Sequence, residues 1–207
     1  MDRIIPYFET WLDKFDLATL EEHPSAIFSL LPDLRICYLN PGWFSFAAAN
    51  GGEPGISIRF PIGTLLSDAI SGPLRDYYID AYTRVFDSGK VWEHDYECST
   101  PDTFRIYHQA AYPLDNKKAI IVINSLSVEM PHDETGRKSM QALEKKYRNK
   151  NGFITQCGHC RRTQRVDGVV QWDWVPAWVA VLPKNISHGL CKPCFDYYYK
   201  YHVKLRN

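Results

Sequence analysis

Two Cys-x-x-Cys pairs constrain this chain more than any other feature. They are Cys157-Gly158-His159-Cys160 and Cys191-Lys192-Pro193-Cys194, with thirty residues between them. Two cysteines three apart can both face one ion from a tight turn, and four thiolates form a soft tetrahedral donor set that suits zinc. The segment that carries them is short and buries little core of its own, so metal binding would supply much of its folding free energy. The spacer exceeds the ~15–20 residues of the commonest double Cys-x-x-Cys pattern. The same four residues also suit an iron–sulfur cluster, or a dithiol switch in which Arg161 and Arg162 lower the pKa of Cys160. Neither pair is followed by histidine, which argues against covalent haem attachment. His159 and His188 could each replace a cysteine, but the complete set of four leaves them outside the donor set.

The chain as a whole, 207 residues with 45% apolar content, has the composition of a soluble globular protein. That length allows one large or two small domains. No run approaches the ~20 apolar residues of a membrane span, and the first residues lack a secretory apolar stretch. A cytoplasmic setting is therefore expected, where cysteine pairs bind metal more often than they form structural disulfides. Cys37 and Cys98 read as small buried hydrophobes. The net charge of zero hides an asymmetry. Residues 1–139 carry 12 Lys/Arg against 20 Asp/Glu (−8), and residues 140–207 carry 12 against 4 (+8). Opposite charge on two halves suits docking onto each other, a second copy or separate partners.

Residues 1–20 place Ile4, Ile5, Phe8, Trp11, Leu12 and Phe15 at helical spacing, and an amphipathic helix is expected there. From Ala26 the pattern becomes strand, turn at Pro32-Asp33, and strand over Arg35–Leu39. Asn40-Pro41 then caps a helix that ends at Asn50-Gly51-Gly52. A Gly/Pro loop from Glu53 to Gly63, a short helix near Thr64–Ile70 and a longer one from Pro73 to Asp87 follow. Strands are expected over Val91–Cys98, Phe104–Tyr112 and Ala119–Ile123, the last apolar enough to be buried on both faces. Residues 129–150 read as a linker with a charged helix over Lys138–Arg148.

Two strands, several helices and three strands, with His23-Pro24-Ser25-Ala26-Ile27-Phe28, Asp33–Asn40 and Ser88-Gly89-Lys90-Val91-Trp92-Glu93, resemble a PAS domain, the α/β sensor module of bacterial signalling proteins. The resemblance covers about residues 20–128. It implies a five-stranded antiparallel sheet in the order 2-1-5-4-3, with helices over one face enclosing a pocket. Candidate pocket residues are Trp92, His94, Tyr96, Phe104, His108 and Tyr112, although His94 and His108 also suit hydrogen-bonded core positions. The long helix lacks the axial histidine of haem-binding relatives. The Asn-Cys-Arg-Phe-Leu-Gln signature of flavin photoreceptors is absent as well.

The cysteine segment resembles a C-terminal motif found after PAS or receiver modules in some bacterial sensor kinases and regulators. The matching residues are Cys157, Cys160, Arg161, Arg162, Gly168, Trp172, Ser187, His188, Gly189, Cys191 and Cys194. Thr163-Gln164 departs from the aliphatic residue and arginine usual there, while Arg165 lies one position on. Trp172, Trp174 and Trp178 read as the small core between the knuckles. With Arg161 and Arg162 they are also candidates for contact with a partner, since Trp and Arg favour interface centres.

The layout expected is therefore an N-terminal helix (1–20), a PAS-like domain (21–128), a linker (129–150) and a four-cysteine zinc domain (151–207), α+β in class. No phosphate loop, nucleophile elbow or His-Glu-x-x-His is present, and a closed four-thiolate zinc leaves no position for water. The reading is a non-catalytic, cytoplasmic sensor or adaptor with structural zinc, an unidentified small ligand in the PAS pocket, and a second copy or a signalling protein as partner. The alternatives are the redox switch, and nucleic-acid binding through Arg161, Arg162, Arg165 and the basic stretch 200–206, which charge alone does not favour.

Overall fold

In the computed structural model, which describes residues 2–70 and 72–200, the run Ala26–Leu30 (β1) pairs antiparallel with Ile36–Leu39 (β2). On its other side β1 pairs with Ala119–Pro131 (β5), from Ala26 opposite Asn124 to Leu30 opposite Ile120. Trp92–Glu97 (β3) and Thr103–Leu114 (β4) complete a five-stranded antiparallel sheet in the order β2-β1-β5-β4-β3, the order that the PAS resemblance implies. The chain divides into two compact units. The first comprises Met1–Ser71, Arg75–Asp95 and Tyr107–Leu126, and the second Gly72–Leu74, Tyr96–Ile106 and Ser127–Asn207.

In the first unit β5 is central, and its pleat sends successive side chains to opposite faces. Ile120 and Val122 join Leu30, Ile36, Leu39 and Ala111 beneath the helices, while Ile121 joins Ile27, Cys37 and Leu114 on the other face. The helices on the side of Ile120 and Val122 include Pro41–Ala49 (α2), Gly55–Arg59 (α3), Leu66–Ala69 (α4) and Arg75–Ser88 (α5), while Leu17–Glu22 (α1) packs on the other face. From α4 and α5, Leu66, Tyr82, Val85 and Phe86 enter the first core.

The second face is covered by the N-terminal segment, and here the single helix expected over 1–20 does not form. Ile4 bridges Tyr38 at the sheet edge, and the Ile5 amide donates to the Cys37 carbonyl at 3.0 Å. Tyr7 adopts φ 68°, a 3-10 turn runs over Phe8–Trp11, and α1 begins only after the Asp16 cap. Proline at position 6 suits this extended entry. The apolar residues still go inward: Phe8 stacks on Tyr38 at 4.9 Å, and Leu12 and Leu20 are buried. Cys37, also buried here, has its thiol pKa pushed up to about 12 by burial.

Asn40 ties these pieces together. Its Oδ1 accepts from the amides of Ile27 and Trp43, both at 2.9 Å, so one atom caps α2 and holds β1. Its Nδ2 donates to the carbonyls of Leu20, His23 and Ser25, fixing the turn between α1 and β1. Two residues on, α2 presses so close to that turn that a Cβ on Gly42 would lie 2.4 Å from the Ser25 carbonyl oxygen.

The second unit is built on a four-stranded sheet in the order β8-β7-β6-β9, formed by Ile154–Cys157 (β6), Thr163–Gln164 (β7), Trp172–Asp173 (β8) and Ile186–Gly189 (β9). Short helices Glu144–Tyr147 (α6), Pro176–Ala180 (α7) and Lys192–Phe195 (α8), with a π turn over Asp196–Lys200, complete it. Tyr147, Ile154, Val175 and Trp178 form its core.

Residues 129–150 are accordingly no linker. β5 runs on to Pro131, only Glu144–Tyr147 is α-helical, and the stretch belongs to the second unit. Buried His132 hydrogen-bonds the Thr100 carbonyl through Nε2 at 2.9 Å, and Met140 pairs its amide with the Trp174 carbonyl at 2.8 Å. The boundaries expected at 128 and 150 thus do not coincide with the two units. The loop expected over Glu53–Gly63 contains α3. Residues 201–206 of the basic stretch lie outside the described residues. Among the described residues no helix is long and apolar enough to cross a membrane.

Asn40→Ala should lower stability by about 3 kcal/mol, since it strips a helix cap and leaves several buried backbone groups unpaired. Gly42→Ala should also destabilise, because the atoms it would meet are backbone. Denaturant midpoints of both variants against the parent check this.

Candidate metal centre

β6 and β9 run parallel and in register, with Gln156 opposite His188 and Cys157 opposite Gly189. Neighbouring strands lie about 4.8 Å apart, so parallel pairing delivers both knuckles side by side at the same end of the sheet. Gly158 donates its amide to the Gly189 carbonyl at 2.9 Å, and the Arg161 amide donates to Cys157 at 3.1 Å, closing the first knuckle as a turn. That turn places Arg161 at φ 60°. In the second knuckle Phe195 donates to the Cys191 carbonyl at 2.8 Å as α8 begins.

The four sulfurs of Cys157, Cys160, Cys191 and Cys194 all lie within 4.8 Å of one another, and all four residues are buried. A metal–sulfur bond of about 2.3 Å in a tetrahedron sets sulfurs about 3.8 Å apart. Cys160 and Cys191 stand at 3.7 Å. These residues therefore fit a single tetrahedral ion. A polynuclear cluster would set several metal and sulfide atoms between the cysteines and require them further apart.

The electrostatics point the same way. Hydrogen bonds from Cys160, Cys191 and Cys194 hold Cys157 far below the usual thiol range, and the Cys191 amide adds a donor at 3.5 Å. Contact with that thiolate drives Cys160 and Cys194 the other way. Four thiolates cannot share so small a buried volume without a cation to neutralise them.

The two nearby histidines remain outside the set. His159 Nδ1 hydrogen-bonds the Tyr198 hydroxyl at 2.7 Å, and burial pushes its pKa down. His188 is exposed. Tyr198 is fully buried, and Tyr199 donates its hydroxyl to the Pro73 carbonyl.

Around the centre, Asp173 is a buried carboxylate that accepts from the Tyr147 hydroxyl at 2.8 Å and Gln171 Nε2 at 2.7 Å, with Lys146 Nζ at 3.7 Å. Burial and Asp173 together raise the Tyr147 pKa. Arg137 forms a two-point ion pair with Glu97 at 2.7 and 3.1 Å, and its guanidinium lies over Trp174 and Phe104. Sequence reading missed Glu97, Arg137 and Asp173, because their partners lie far away in the chain.

The tryptophans divide. Trp174 and Trp178 are buried, the latter edge-on to Tyr147 at 5.2 Å, and Trp172 is half-buried. Arg161 is exposed and Arg162 half-buried.

The six candidate pocket residues also separate. Trp92 and His94 stack at 5.1 Å within a cluster with Tyr77, Tyr78 and Tyr82, and His94 Nε2 meets the Tyr78 hydroxyl at 3.1 Å. His108 turns instead to Asp95 at 2.8 Å and Glu93 at 3.9 Å, on the opposite face of the strands from Trp92 and His94. Tyr112 packs on Phe15 at 5.6 Å. Tyr96 and Phe104 lie in the second unit. Alternation along β3 and β4 sends Trp92 and His94 to one face and His108 to the other. A groove of about 270 Å³ in the first unit is lined by other residues, among them Phe46, Tyr107, Asn124 and Leu126.

The first unit thus has a PAS-like fold, and its strand order rests on the pairings above. No family model and no curated protein matches the chain. Among solved structures, the PAS domain of BvgS from Bordetella pertussis is 16% identical, covering 54% of this chain and 82% of that domain, with a TM-score of 0.42. A domain of an HTR-like protein from Haloarcula marismortui is 18% identical, covering 51% and 100%, with a TM-score of 0.37. The PAS domain of nitrogen regulation protein NR(II) from Vibrio parahaemolyticus is 17% identical, covering 56% and 99%, with a TM-score of 0.33.

Tyr147→Phe should cost about 1–2 kcal/mol by removing one donor from a buried carboxylate, while leaving the metal content of the protein unchanged. Thermal unfolding together with elemental analysis checks both halves of that expectation.

Proposed function

We propose that this chain is a non-catalytic signal-transduction sensor or adaptor of bacterial type, in which a PAS-type module is coupled to a structural zinc module. The observation that carries the reading is the joint presence of a β2-β1-β5-β4-β3 sheet and a buried four-thiol centre. Zinc fits because the donors are all sulfur and the sulfur spacing suits one tetrahedral ion. When bound, the ion supplies folding free energy to the second unit; its four thiolates leave no position for water, so no hydrolysis is assigned to it.

In this reading the PAS-type module senses a small ligand or pairs with a second copy, and the zinc module presents a surface to a protein partner. Arg161 remains available for that contact, being exposed at the closed knuckle. A ligand can act only by binding two arrangements of the module unequally. A cytoplasmic location accords with four thiols held reduced for a metal.

Purified under reducing conditions, the full chain should contain one zinc per molecule, with the four thiols unreactive until a chelator strips the ion. Chelation should unfold the second unit, and acidification should release the metal as protons compete for the thiolates. Stoichiometric iron, or metal-free protein whose knuckles cycle reversibly to disulfides, would replace the zinc module with a cluster or a redox switch.

A further inference from the structure

The turn that joins β7 to β8 presents apolar side chains where polar ones are usual. Arg165 donates its amide to the Gln171 carbonyl at 2.9 Å, and its guanidinium holds Asp167 at 2.9 and 2.5 Å. Gly168, at φ 92°, completes the tip. On this braced turn Val166, Val169 and Val170 are all exposed, Val170 to 99%, so no described residue of its own chain covers it. Turns are dominated by Gly, Pro, Asn, Asp and Ser, and nothing in this backbone calls for valine. Exposed apolar side chains gathered on one protrusion mark a contact surface.

The first unit offers a matching concavity. Its groove of about 270 Å³ is walled by Phe46 and Tyr107, edge-on to each other at 5.7 Å, and by exposed Leu126, with no charged side chain in its lining. It corresponds to about nine water volumes at ~30 Å³ each, which is room for two valine side chains. Charge favours bringing the two together. The first unit carries 9 Lys/Arg against 15 Asp/Glu (−6), and the second 15 against 9 (+6). Locally, exposed Glu22 stands two residues before Pro24 of the groove wall. Exposed Lys145 adjoins Lys146, whose carbonyl accepts from the Val166 amide at 2.9 Å.

We propose that two copies of this chain pair by mutual exchange, the Val169-Val170 turn of each seated in the Phe46–Tyr107–Leu126 groove of the other. Opposite net charges draw the second unit of one copy to the first unit of its partner, whereas like units repel. The apolar contact then covers the valines. An exchange between two different patches closes on a two-fold axis only when it is mutual, and the mutual form makes each contact twice. The contacts are small, so the dimer is a weak one. This deepens the reading of the second unit as a surface for a partner by naming the partner, and it uses neither the identity of the metal nor a ligand of the PAS-type module.

Sedimentation velocity of the metal-loaded full chain tests it, together with V170D and L126D, which place a carboxylate on the turn and on the groove wall. The parent should pass from monomer to dimer with a dissociation constant of about 10–100 µM. Each variant alone loses the contact on both sides and should dimerise at least about tenfold more weakly, since a buried unpaired charge is costly. Mixed one to one, the variants should associate about tenfold more tightly than either does alone, because the unaltered groove of V170D receives the unaltered turn of L126D. Metal content and thermal midpoint of each variant should match the parent, both positions being exposed. V170S and L126S repeat the comparison where a carboxylate disturbs the fold. The proposal is overturned if the parent stays monomeric up to about 1 mM, if neither variant weakens the dimer, or if mixing restores nothing. A monomeric parent removes the dimer alone, while the sensor reading is decided by the metal content and the thiols.

Discussion

Four thiols confined within 4.8 Å of one another form the constraint on which the second unit depends. One thiolate is readily held there by its neighbours' S–H and N–H donors, but four are not. The sheet that brings them together is small, with strands of two to four residues. Its apolar core is a handful of side chains around Tyr147 and Trp178. Such a unit gains little from burial alone, and a cation held by the four sulfurs would add folding free energy to it. The surrounding polar groups follow the same logic at lower charge. Asp173 and Glu97 are each surrounded by donors, and Arg137 is held between a carboxylate and two aromatic faces.

The first unit solves its problem differently. Its sheet is apolar on both faces, and the covering layers are held in position by directional bonds rather than by charge. Asn40 joins the end of α1, the start of β1 and the first turn of α2 through one side chain. A second buried polar chain runs from the Tyr82 hydroxyl to Gln109 and on to Asn124, which donates to the Ala26 carbonyl. Both networks have partners at each step, which is the condition under which buried polar groups specify one packing.

Much of the first unit was legible because its signals are local. Asn40-Pro41 marks a cap and a first helical position, and the unbroken apolar run of β5 marks a strand buried on both faces. The cysteine spacing likewise marks the four residues whose sulfurs the fold gathers within 4.8 Å. What the sequence concealed was decided by distant partners. Ile4 and Ile5 lie at helical spacing with Phe8, yet the edge of β2 offers them strand pairing, which overrides that period. Residues 129–150 look charged and free, but His132, Met140 and Tyr147 each find contacts in the second unit. The candidate pocket residues divide for a related reason: a period of two fixes which residues of one strand share a face, but not which face of the sheet that is.

The parallel pairing of β6 with β9 carries a consequence for how such a segment can change over time. The two knuckles are fixed by each other and by the strands that lead into them, whereas the span between carries β7, β8 and α7 joined by turns. The turn between β7 and β8 includes Val170, which is almost wholly exposed. The entropy of closing a loop grows only with the logarithm of its length, about 0.6 kcal/mol for each doubling. The interval between Cys160 and Cys191 can therefore lengthen or shorten at β-turns and surface residues without disturbing the sulfurs. A long interval is thus no sign of a weaker set of donors, and the turn between β7 and β8 can acquire new contacts by insertion.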